Sequence, residues 1–142
     1  MKTNKHDSGF TLIEVLVGLF LVAVAVLGLA ELFLVAVANN RKADQVANAT
    51  FLAQQEVDWL RGLTAAELSA SSGVTDELLD LNVDGTNDYR RVTRVTMASG
   101  VSYDVQVRVY SAEKIAGLAA QDLIDDPVQH RPRAFLSTII SR

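Results

Sequence analysis

The sequence predicts an α+β protein in which one long N-terminal helix lies against a small antiparallel sheet. Three observations carry this. An apolar stretch from Phe10 to Ala38 runs 29 residues with only Glu14 and Glu31 charged. Helical spacing of apolar residues then continues to Leu63 without a proline. Beyond Leu63 the period shortens to two, as in half-buried strands.

A helix needs about 20 apolar residues to cross a bilayer core, so the 10–38 segment is long enough to span and remain. A cleaved secretory signal needs only about 7 to 15 apolar residues. Lys2 and Lys5 precede the run and Arg41 and Lys42 follow it, a weak basic asymmetry that does not by itself set the topology. From Asn39 to Leu63, Val46, Ala49, Ala53, Val57 and Leu60 share one stripe, which an amphipathic helix presents to a core. Phe51 and Trp59 lie off that stripe, and aromatics flanking a core stripe are expected to pack beneath loops. Gly62 and the "TAAELSASSG" run end the helix near Leu63. A continuous helix over 10–63 measures about 80 Å.

"YRRVTRVTM" and "VSYDVQVRVYS" alternate around Ala98-Ser99-Gly100 and predict a β-hairpin over about 89–110. "RAFLSTIIS" after Pro132 supplies a further strand over about 134–141. Between them "EKIAGLAAQDLIDD" fits a short helix or a loop. A three- or four-stranded antiparallel sheet on the apolar stripe satisfies both periodicities.

Composition removes several classes of function. The chain has 142 residues, no cysteine and a formal charge of -4, so disulfides and thiolate metal sites are excluded. Two histidines, His6 and His130, stand far apart in sequence, and the longest basic cluster is Arg90-Arg91, which leaves no footprint for direct nucleic-acid binding. No nucleophile elbow, phosphate loop or histidine metal spacing is present, so catalysis is not expected.

Glu14 is the anomaly of the apolar run. A lone carboxylate in lipid costs about 2.5–3.5 kcal/mol on insertion scales unless it is paired or lies near the interface. Two readings are open: a docking charge for a partner cation, or a side chain that reaches the headgroups. Glu31, about 25 Å further along a helix, falls near the far interface and reads as a boundary residue.

"SGFTLIEVLVGL", with Lys2, Lys5 and His6 before it, resembles the class III signal of type IV prepilins and pseudopilins. The resemblance implies a type IV pilin-like fold and a leader of residues 1–9 removed by prepilin peptidase. It places the cut between Gly9 and Phe10, with N-methylation of Phe10 and Glu14 as the assembly residue that neutralises a neighbour's Phe10 ammonium. It divides the chain into a transmembrane, filament-core half of the helix (10–38), an amphipathic half (39–63) and a periplasmic α+β head (64–142). The partners implied are other pilins, prepilin peptidase, an inner-membrane assembly platform and the membrane itself. "LGLAELFLVAVANNRKADQVANATFLAQQEVDWLRGL" is further similar to minor pilins of the PilV type. The functions open at this stage are a minor pilin, a type II secretion pseudopilin, and a single-pass anchored binding module that never polymerises. The far half of the span lacks the proline common in major pilins, and no cysteine pair closes a C-terminal loop.

One other stretch carries chemistry. "DLNVDGTND" places Asp80, Asn82, Asp84 and Gly85 at the first, third, fifth and sixth positions of a D-x-[DN]-x-[DN]-G calcium loop, with Asp88 at the ninth. Its twelfth position is Arg91 where a bidentate glutamate is expected, and the same residues also build plain turns. Calcium held by Asp80, Asn82, Asp84 and Asp88 is the cofactor expectation.

Overall fold

In the computed structural model the described residues are 10–126 and 129–142, so Met1 to Gly9, the expected leader, lie outside them. Helix α1 covers Leu12–Gly62 and α2 Ala65–Ala70. Strand β1 covers Gly73–Leu79, β2 Tyr89–Ser99 and β3 Ser102–Ser111. A 3-10 turn at Ala112–Ile115, α3 at Ala120–Asp125 and β4 at Ala134–Ser141 complete the order. The chain divides into two compact units, Met1–Lys42 and Ala43–Arg142.

The four strands form one antiparallel sheet in the order β1-β2-β3-β4. Its inner face packs on the part of α1 that belongs to the second unit. Ala49, Leu52, Ala53, Val57 and Leu60 are buried there with Val95, Tyr103, Val105, Val107, Val109 and Ile140. The spacing 49, 52, 53, 56, 57, 60 is that of one helix stripe, and the strand residues recur at every second position, so each element buries one face. Val46, expected on that stripe, is 42% exposed.

On the outer face, Val92 and Tyr110 are buried under Ile115, Leu123 and Ile124 of the 3-10 turn and α3. The Tyr110 hydroxyl donates to the Leu123 carbonyl at 2.7 Å, which satisfies the phenol in the apolar layer. This second core explains why β2 does not alternate cleanly: Val92 and Thr93 are both buried, on opposite faces. A register shift between Met97 and Ser99 closes the hairpin.

Two sequence expectations are revised. Phe51 and Trp59 are 60% and 56% exposed, not packed beneath loops, because they lie away from the stripe that meets the sheet and no other described element covers them. Strand β1 was not expected. It is a charged edge strand whose Glu77 stands opposite Arg91 and whose Asp76 reaches Arg90 diagonally, with bonds of 2.8 and 2.7 Å to Nε and Nη2. The cross-strand charges hold an edge that hydrophobic alternation alone does not mark.

Between α1 and the sheet sits one buried charge group. Arg91 Nη2 lies 2.9 Å from Glu56 Oε2 and also contacts Glu77, while Nη1 donates to the Leu52 carbonyl at 3.3 Å. One guanidinium thus serves two carboxylates. Burial raises the Glu56 pKa from its ordinary 4.5; Arg91 pulls it back, the Glu77 charge pushes it up again, and a hydrogen bond with Thr93 lowers it. A raised folded pKa means that the folded state holds the proton more tightly than the unfolded state. The stability contribution of Glu56 is therefore fully present below the unfolded pKa and lost as pH rises through the folded one. Relative to Glu56→Gln, the wild type should gain stability as pH is lowered from 8 towards that range. Denaturant melts of the two proteins at several pH values check this, and parallel pH profiles contradict it.

Candidate functional site

Phe10 and Thr11 lead into α1, and the sequence Thr11-Leu12-Ile13-Glu14 has the T-x-x-E spacing of a capping box. The Glu14 amide donates to Thr11 Oγ1 at 3.4 Å and to the Thr11 carbonyl at 3.0 Å, which satisfies a donor that the first turn leaves open. The same spacing recurs at Thr64-Ala65-Ala66-Glu67, where both halves close: the Thr64 amide donates to Glu67 Oε2 at 2.7 Å and the Glu67 amide to Thr64 Oγ1 at 3.4 Å. The two sites differ at the carboxylate. Glu67 is spent on its cap, and that bond lowers its pKa. Among the described residues Glu14 has no side-chain hydrogen bond and no ion pair, so its charge is held at the helix start without a partner. Its first-turn position is favourable to the helix dipole, a local role that the sequence reading missed although the T-x-x-E signal was present.

Among the described residues nothing covers the helix around Glu14. Phe10 is 84% exposed, and Leu12, Ile13, Leu16 and Leu19 are all more than half exposed. The most apolar 18-residue window of α1 is long and apolar enough to cross a membrane, and none of it is buried. Gly9, the residue expected before the cut, lies outside the described residues; Phe10 and Glu14 stand four positions apart, with Phe10 just before the helix.

The acidic loop between β1 and β2 is built as a hydrogen-bonded turn. Asp80 Oδ1 accepts from the amides of Val83 at 2.7 Å and Asp84 at 3.3 Å, and Oδ2 from Gly85 at 2.8 Å. Asn82 and Asp84 bond to each other, Asp84 Oδ1 accepts the Thr86 amide at 2.8 Å, and Asp88 Oδ2 accepts the Leu81 amide at 3.0 Å. The Thr86 hydroxyl and amide hold the Asp84 carboxyl below its usual range. Gly85 has a φ of 88°, as a left-handed turn position requires, and the exposed Val83 takes 59°.

The residues expected as calcium ligands, Asp80, Asn82, Asp84 and Asp88, all take part in this turn. Among the described residues no group of three or more His, Cys, Asp or Glu side chains is positioned to hold a metal ion. Several of their oxygens accept from backbone N–H groups, as residues of Asx turns do. Asp80→Ala should cost about 1–2 kcal/mol by opening three amides. A calcium titration of the wild type tests the ion reading: a saturable rise in melting temperature supports it, and an unchanged melting temperature removes it.

Residues 4–30 match the family model of the prokaryotic N-terminal methylation motif, which takes in Gly9, Phe10 and Glu14. No curated protein and no solved structure matches the chain. The chain thus joins a prokaryotic N-terminal methylation motif to an apolar helix and an α+β fold in which the C-terminal part of that helix packs on a four-stranded antiparallel sheet.

Proposed function

We propose that the chain is a minor pilin, a structural subunit of a type IV pilus acting in its priming or tip complex. The observation that carries this reading is the matched motif at the head of a helix whose N-terminal apolar surface is exposed among the described residues, with Glu14 its one early carboxylate. Prepilin peptidase removes residues 1–9 and methylates Phe10. The 10–38 segment holds the subunit in the inner membrane with the C-terminal unit in the periplasm, until the assembly platform transfers it to the filament. There Glu14 accepts the Phe10 ammonium of an adjacent subunit, and apolar helix surface packs on apolar helix surface in place of lipid. No catalytic step is assigned.

The motif serves pseudopilins of type II secretion equally, so the deciding experiment is genetic. Deletion of the gene in its host should abolish or strongly reduce surface pili and twitching and leave secretion intact. The opposite phenotype assigns the chain to secretion, and loss of neither assigns it to a single-pass anchored module.

A further inference from the structure

The head contains a second feature that the filament reading does not use. Lys114, Arg131 and Arg133 line one small cavity of about 200 Å3 together with Tyr110, Ser111 and Pro132. The three cations come from different parts of the chain. Lys114 follows β3 in the 3-10 turn, whereas Arg131 and Arg133 precede β4. The pairing of Val109 with Ala134 brings the segments together, and the Arg133 amide donates to the Val109 carbonyl at 2.7 Å, which fixes its backbone at the cavity edge. Pro132 restricts the approach between the two arginines. Tyr110, which also lines the cavity, is held by the bond from its hydroxyl to Leu123.

No carboxylate lines this cavity, and among the described residues none of the three cations forms an ion pair. Arg90 and Arg91 are matched to acids, whereas these three cations share one cavity without one. We propose that the cavity binds a phosphate group, free or as a monoester. Two guanidinium forks and an ammonium suit a dianionic tetrahedral oxyanion better than a single carboxylate, and the Ser111 hydroxyl adds a neutral donor. The small volume admits a phosphoryl head and excludes a nucleic-acid duplex.

The test uses the full chain in non-ionic detergent, titrated with inorganic phosphate and separately with glycerol 3-phosphate, with ionic strength held constant by chloride. Saturable binding and a rise in melting temperature are expected. The double variant Arg131→Gln/Arg133→Gln should weaken binding by about tenfold or more, and Arg94→Gln, an arginine outside the cavity, should leave it unchanged. Lys114→Gln, an exposed change in the 3-10 turn, carries the same test if the double variant fails to fold. A response to both ligands assigns a free-phosphate site, and a response to the ester alone assigns a head-group site; either supports the proposal. No saturable response to either ligand, or one that persists in the cavity variants, overturns it.

Discussion

Arg91→Ala should destabilise the C-terminal unit by about 3–5 kcal/mol, the range for removing one partner from a buried ion pair. The Arg91 and Glu56 side chains are only 11% and 10% exposed, so alanine leaves the Glu56 carboxylate between helix and sheet with no counter-charge. Glu77 adds less, since its side chain is 44% exposed and water screens its contact with Arg91. The loss should shrink as pH falls. With Arg91 gone, Glu56 keeps the burial and the Glu77 charge that raise its pKa, and protonation removes the uncompensated charge. Urea melts of wild type and variant at pH 8 and pH 5 read both effects. A loss below about 1 kcal/mol at both pH values would show that the cluster behaves as a surface pair.

Glu14→Gln should leave folding and membrane insertion intact and abolish incorporation into filaments. Glutamine keeps the side-chain length, and the bonds to Thr11 come from the residue-14 backbone amide, so the substitution leaves them in place. What disappears is the negative charge. A carboxylate in lipid carries a penalty of about 2.5–3.5 kcal/mol, and relief of that penalty by a neighbour's ammonium corresponds to about a hundredfold in the assembly equilibrium. The variant should therefore accumulate in the membrane fraction while its content in sheared filaments falls by that order. Equal incorporation of glutamine and glutamate would mean that the charge acts only on its own helix. Glu31→Gln is the companion control, and it should assemble normally.

The sequence made the two periodicities legible, and with them the helix, the central hairpin and the last strand, because each of these buries one continuous apolar face. It was less informative where burial is two-sided or where charge does the work. Val92 faces the second core beneath α3, so β2 is buried at positions that break its alternation. Strand β1 is an edge held by Asp76 and Glu77 against Arg90 and Arg91, and its signal lay in matched charges on two separate segments. Glu56 sat unremarked on the helix stripe, since a polar residue among Ala53, Val57 and Leu60 is explained only once Arg91 is placed across from it. At the N-terminus the motif residues were all visible, because a processing signal is read from local sequence. The Thr11 cap beneath Glu14 was equally visible and was passed over in favour of the intermolecular role. Asp80 to Asp88 shows the reverse case: identical residue types serve an ion or a turn, and the turn's hydrogen bonds were not legible in the residue types.

A processed, filament-forming subunit differs from a plain anchor in the mass of its mature chain. Intact-mass analysis of the protein purified from membranes of cells that contain prepilin peptidase tells the two apart most directly. The account predicts a mass lacking residues 1–9 and carrying one added methyl group, with fragmentation placing the methyl on the Phe10 amine. A chain that retains Met1 to Gly9 in the presence of active peptidase would contradict it.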